Sequence, residues 1–371
     1  MRIRHISLLM LVFAVSFAGS LQALHAQEIR TGDNWKSISP LYRNDTLTIR
    51  FFGDIMMHTA QIASADKGFS KYFTHIEDKI KEADIAVANM EFTLAGEPYS
   101  GYPTFSAPDA YAEYIAESGF DIFLCANNHI FDKGSSGAQR TLEIYKGLQK
   151  EYGIAYTGLA ENIEDQDGNL PLAITRKGIR VSFINMTYGT NLGATDHWPK
   201  VTYMNSKGLI ETAISKAENS SDVTVALPHW GTEYELLHSE QQEMTARWLI
   251  EKGADLIIGC HPHVAQDTSR IDGVPVAYSL GNLVSNMSAA NTQVGLMVTV
   301  KLVREENGDI NLLPIELTHL WCSRPGGLTD SYAVIPIEEF IGTRNRWIGA
   351  WEYDKMVATY ERIRKTHNNE Y

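Results

Sequence analysis

Five short apolar runs, each ending in a polar cluster, organise the chain. Thr46–Phe52 leads into Gly53-Asp54, Asp84–Ala88 into Asn89-Met90-Glu91, and Asp121–Ala126 into Asn127-Asn128-His129. Further on, Asp222–Leu227 leads into Pro228-His229-Trp230-Gly231, and Asp255–Gly259 into Cys260-His261-Pro262-His263. Runs this short and this apolar suit strands covered on both faces. Between them, apolar positions recur at helical spacing in Lys71–Glu82, Asp109–Glu117, Gln139–Lys150, Ser206–Ala217 and Ser239–Lys252. The last opens on Ser239 with Gln242 three residues later, the pattern of a capping box. Strands alternating with helices imply βαβ units and a largely parallel sheet.

Val181–Asn185 and Val274–Tyr278 add two strands, and Gly295–Arg304 with Ile310–Leu317 reads as an antiparallel hairpin. About nine strands exceed what one open sheet needs. The expected fold is therefore α/β, two packed mixed β-sheets flanked by helices. Residues 45–325 read as one domain, and residues 326–371 as a helical extension packing on it, with a helix near Trp347–Lys365.

The first residues have a different character. Arg2 and Arg4 precede an apolar run of 13 residues, Ile6–Ala18, short of the ~20 a membrane span needs. With Leu24-His25-Ala26 following, residues 1–26 read as a secretory signal cleaved after Ala26. The expected location is periplasmic or extracellular, an uncleaved N-terminal membrane anchor being the alternative. The formal charge of −13 becomes −15 once Arg2 and Arg4 are lost. Such an acid excess argues against a nucleic-acid partner held over a broad basic face. Three cysteines are too few for a disulfide scaffold; Cys125 and Cys260 read as buried free thiols in preference to a bridge.

In α/β folds ligands gather beyond the carboxyl ends of the strands. Those ends here carry Asp54, Glu91, Asn128, His129, His229, His261 and His263. Singly, each has a bland explanation as a turn former, cap or satisfied core group. Together they make a mixed oxygen and nitrogen donor set suited to Mn, Zn, Fe or Mg. His261 and His263 project to one side if their backbone stays extended. The donors exceed what one tetrahedral ion takes, so two divalent metal ions sharing a carboxylate are expected.

Six segments, in order, resemble the motifs of the CapA family of bacterial poly-γ-glutamate capsule synthesis proteins, within the calcineurin-like metallophosphoesterase superfamily. They are Gly53–Met56, Asn89–Glu91, Ala126–Gly134, His229–Tyr234, Gly259–Gln266 and Tyr278–Asn282. The resemblance spans Leu47 to Arg324 and implies a metallophosphoesterase-like four-layer αββα fold. It also implies roles: Asp54 and His263 on a first ion, Asn128, His229 and His261 on a second, and Glu91 bridging. His129 would be the acid at the leaving group, oriented by Asp132. Where the superfamily has a His two residues after the first Asp, this chain has Met56, and His58 is a candidate substitute. Cys260 stands where relatives often have His, and packing explains it best. Further candidates for metal or substrate contact are Phe105, in the loop Tyr102–Pro108, Glu233 and Tyr234, and Asn282. Glu233 could instead hold His229, and the loop Gly189–Lys200, with Asn191, could act as a lid.

The expected function is that of an exported CapA-like protein. It would act in synthesis or processing of capsule poly-γ-glutamate or a related anionic envelope polymer, with a dinuclear hydrolase site using metal-activated water. A noncatalytic assembly or anchoring subunit with membrane synthase or export partners is one alternative. A general periplasmic phosphoesterase acting on a phosphoester substrate is another.

Overall fold

The computed structural model describes residues 46–64, 69–193 and 197–368. The signal-peptide reading falls outside these residues. In chain order the strands of the N-terminal half are β1 (Thr46–Ile55), β2 (Ile85–Met90), β3 (Ile122–Leu124), β4 (Ala155–Thr157), β5 (Leu159–Ala160), β6 (Leu172–Arg176) and β7 (Ile179–Thr187). They continue as β8 (Lys200–Val201), β9 (Val223–His229), β10 (Leu256–Ile258), β11 (Thr268–Ile271), β12 (Val274–Ala277) and β13 (Asn282–Val284). The last are β14 (Val294–Arg304), β15 (Ile310–Leu312), β16 (Glu316–Ser323) and β17 (Ala333–Pro336). The helices are α1 (Thr59–Ala63), α2 (Glu77–Lys81), α3 (Asp109–Glu117), α4 (Gly134–Tyr152), α5 (Ile163–Asn169), α6 (Lys207–Ser220), α7 (Glu240–Glu251), α8 (Ile337–Phe340) and α9 (Ala350–Asn368).

Two mixed sheets carry the molecule. One runs β17-β16-β14-β1-β2-β3-β4, with β13 beside β1 and β15 beside β14; the other runs β11-β12-β10-β9-β7-β6. β1 to β4 are parallel, as are β7, β9, β10 and β12. Side-chain alternation sorts these strands into layers. Ile49 and Phe51 of β1 meet Val225 and Leu227 of β9 and Leu256 and Ile258 of β10 in the core between the sheets. Phe52 turns outward to Tyr111, Leu142 and Tyr145 of α3 and α4. Ala226 and Ile257 turn the other way, to Ile210, Ile214 and Leu249 of α6 and α7. Helix, sheet, sheet, helix is the expected four-layer order, and it brings the carboxyl ends of both sets of parallel strands to one edge.

Local chemistry explains where elements begin and stop. Ser239 accepts from Gln242 N, and a capping box starts α7 as its sequence suggested. The helix expected over 71–82 is confined to Glu77–Lys81; Tyr72-Phe73-Thr74-His75 are weak helix formers, and Tyr72 and Phe73 are buried among aromatic rings. The hairpin of β14 and β15 forms, but Pro314 interrupts its second arm, and β16 resumes beside β14. The extension beyond residue 325 adds an edge strand, β17, before its helices. Met356, Tyr360 and Ile363 of α9 then join the core between the sheets. The expected count of nine strands falls short of the seventeen described, because most of the others are two to five residues long and show no readable alternation. Among the described residues no helix is long and apolar enough to cross a membrane.

Candidate metal centre

A backbone strap between two glycines sets the position of Asp54. A Cβ on Gly53 would lie 1.9 Å from the carbonyl oxygen of Gly281, so only glycine permits this approach. Asp54 N donates to that same carbonyl at 2.8 Å, and Asp54 pairs in register with Asn282. Asn89, at the end of β2, donates through Nδ2 to Asp54 Oδ1 at 2.8 Å and lies 3.3 Å from His229 Nδ1. Asn127 Nδ2 donates to Met90 O at 2.9 Å and ties the β3 loop to the β2 end.

His261 and His263 reach the same point by a route that differs from the extended backbone expected. Both adopt left-handed conformations, φ +103° and +58°, on either side of Pro262. Such conformations cost on the order of 1–3 kcal/mol each and persist where surrounding structure enforces them. Here the two turns bring both imidazoles inward, with ring centroids 5.9 Å apart.

Glu91 sits at the centre of the cluster. Its Oε1 is 3.6 Å from His229 Nε2 and 3.7 Å from His263 Nε2. Donor atoms of Glu91, His261 and His263 lie within 4.8 Å of one another, as do those of Asp54, Glu91 and His229. Glu91 belongs to both groups. His263 Nδ1 is 3.4 Å from Asp54 Oδ2, and Asn128 Oδ1 is 2.8 Å from His229 Nε2. All six expected ligands are buried.

The electrostatics fit divalent cations. Both carboxylate oxygens of Glu91 and Nδ1 of His261 are buried without a hydrogen-bond partner among the described residues. A native interior rarely leaves polar atoms in this state. Burial, and then the neighbouring Asp54 carboxylate, push the Glu91 pKa well above the carboxylate range. Burial lowers His229 strongly and brings His261 to about 3, adjacent imidazoles adding to the effect in both. Neutral imidazoles offer lone pairs to a metal, and a bound cation would displace the proton that burial favours on Glu91.

Beside the cluster, His129 Nδ1 lies 2.6 Å from Asp132 Oδ2. The same oxygen accepts from Phe105 N at 2.7 Å. The Phe105 ring packs edge-on against His129 at 4.6 Å, so the loop carrying Phe105 holds this pair. Asn191 Nδ2 lies 3.3 and 3.4 Å from the two His129 ring nitrogens, and Asn191 N donates to Asn128 O.

The remaining candidates divide. Asn282 accompanies His263, its Oδ1 3.1 Å from Nδ1. Tyr234 stands at the rim, half exposed, its ring 6.4 Å from that of His263. Glu233 is exposed, and His229 is held by Asn128 and Asn89 in its place. His58 caps α1 and packs edge-on to Phe105 at 5.3 Å. Its Nδ1 accepts from Asn286 N, and it belongs to neither cluster of donor atoms. Met56 is core. Cys125, Cys260 and Cys322 are buried free thiols. Tyr188, which sequence reasoning missed, lies 4.6 Å from the His261 ring and parallel to His229 at 6.5 Å. It follows β7, whose end carries no motif to signal it.

Two facing sheets that aim two carboxylates, an amide and three imidazoles at one buried edge define an α/β protein built around a candidate metal centre. Residues 48–287 match the sequence profile of the family described as "Bacterial capsule synthesis protein PGA_cap", and the chain belongs to that family. It is 30% identical to the capsule biosynthesis protein CapA of Bacillus anthracis, covering 74% of this chain and 68% of that one. It is 25% identical to the PGA biosynthesis protein CapA of Bacillus subtilis, covering 74% and 73%. Among solved structures it is similar to a putative 5'-nucleotidase from Staphylococcus aureus, solved in complex with alpha-ketoglutarate (14% identity, TM-score 0.48). That likeness covers 74% of this chain, which spans about half, 54%, of that protein's length. It is also similar to the NAD nucleotidase of Haemophilus influenzae (13% identity, TM-score 0.42), over 86% of this chain and 63% of that one.

Proposed function

We propose that this member of the capsule synthesis family is an exported hydrolase with a dinuclear metal centre. Its substrate would be an anionic envelope polymer of the poly-γ-glutamate class, processed during capsule synthesis. The observation that carries the reading is Glu91, a buried carboxylate with no donor on either oxygen, shared between two groups of ligand atoms. Asp54, Asn128, His229, His261 and His263 would hold the ions with it, His261 and His263 lying in one group and Asp54 and His229 in the other. Bound there, divalent ions such as Mn, Zn, Fe or Mg supply Lewis acidity and lower the pKa of water.

The chain's own residues supply the rest. Asp132 accepts from His129 Nδ1–H, which leaves Nε2 to carry a proton toward a leaving nitrogen or oxygen. Phe105 N–H fixes Asp132, and Asn191 lies against the imidazole. The name of the Bacillus subtilis relative supports the choice of polymer. The basic, apolar start of the sequence supports export, with membrane-bound synthase or export proteins as partners.

Turnover tests the reading. Full-length protein supplied with Mn²⁺ or Zn²⁺ should shorten γ-linked polyglutamate, and a chelator should stop it. Hydrolysis of p-nitrophenyl phosphate with polymer left intact would replace the substrate by a phosphoester. Polymer binding with no turnover of either would make the protein an assembly subunit.

A further inference from the structure

Next to the metal centre, a groove of about 470 Å³ opens between the N-terminal ends of α6 and α7. Tyr188, packed on His261, and Trp230, which directly follows His229, both line it. Met204, Met244 and Trp248 supply further apolar surface. Met244 is exposed and packs on no other part of this chain's core among the described residues.

The charge of the groove contrasts with that of the chain. The protein carries 45 Asp and Glu against 32 Lys and Arg, yet no carboxylate lines this groove, and Lys207 does. Lys207 Nζ stands 5.1 Å over the Trp248 ring and has no ion-pair partner among the described residues. Asn205, Thr232 and Gln241 add neutral groups able to pair with amides. One cation, amide-pairing groups and thioether and indole walls make a surface for a ligand that is at once anionic, amide-bearing and aliphatic.

We propose that the groove is a chain-binding subsite for the polymer, holding the segment that leads away from the metal centre. This rests on the reading of the substrate as a γ-glutamyl polymer. In such a chain two methylenes separate each carboxylate-bearing carbon from the next amide. Lys207 would pair with a carboxylate, the Met and Trp side chains would cover methylenes, and Asn205 and Gln241 would meet amides. Inorganic polyphosphate offers no methylenes to those walls.

The test uses fluorophore-tagged γ-linked glutamate oligomers of increasing length, with full-length protein and Mn²⁺, read by fluorescence anisotropy. In the parent, affinity should rise with length beyond the shortest oligomers that bind. Lys207→Glu and Trp248→Ala should remove that gain, weakening long oligomers about tenfold while leaving short ones unchanged. A length-dependent gain that survives in both variants overturns the groove and leaves the metal-centre reading standing. An equal gain with tagged polyphosphate shows a generic anion surface and also overturns it. Absence of binding by oligomers of any length overturns the substrate reading, and the groove with it.

Discussion

Glu91 lies buried beside Asp54 with no donor on either oxygen, an arrangement that costs stability unless a cation compensates it. His129 and Asp132 stand apart from that constraint. Their contact serves orientation, because Asp132 Oδ2 accepts from both the His129 ring and Phe105 N. Asp132→Asn keeps an oxygen for Phe105 but loses a charged acceptor for the ring. We expect kcat on the polymer to fall about 10²-fold or more with metal content unchanged, which elemental analysis of the same sample checks. The residue identities of this site were legible because each ends an apolar run. The left-handed backbone at His261 and His263 was not, since it is imposed by packing around Pro262. Nor was Tyr188, which reaches the imidazoles from a strand end without a motif.

At the scale of elements, a few buried polar residues join strands and helices. Asp121 precedes β3 and accepts from Ala86 N of β2 at 2.7 Å. Burial pushes its pKa up from 3.8 to about 6, against the pull of that hydrogen bond. A carboxyl raised in the folded state contributes stability below its unfolded pKa and loses it as pH rises through the folded one. The parent should therefore lose up to about 2 kcal/mol more than Asp121→Asn between pH 4 and pH 7, measured by urea unfolding at both values. In α9, Glu352 accepts from Gln293 Nε2 at 3.0 Å, Ser323 Oγ at 2.6 Å and Arg324 N at 3.0 Å. Glu352→Ala leaves those donors buried and should destabilise by about 2–4 kcal/mol, with Glu352→Gln recovering part of the loss in the same assay. The long parallel strands and most helices were legible from periodicity. The helix at 71–82 shrank because aromatic packing outweighs spacing, and the edge strands escaped notice because tertiary pairing alone creates them.

The whole molecule is acidic, yet its proposed substrate is a polyanion. Two divalent cations would bring four positive charges to an edge where Asp54 and Glu91 carry at most two negative ones. Polymer binding should consequently depend on metal, and a chelator should abolish the anisotropy change seen with tagged oligomers. The fold class and the family were legible over residues 47–324, since six motifs sit at successive strand ends. The groove was not, because α6 and α7 bring together residues that no single motif contains. The metal centre is tested most directly by the metal content of purified full-length protein and of Glu91→Ala, determined by mass spectrometry of the elements. A dinuclear centre bridged by Glu91 requires about two equivalents of divalent metal per chain in the parent and loss of most of it in the variant. Less than one equivalent in the parent, or an unchanged content in Glu91→Ala, would contradict it.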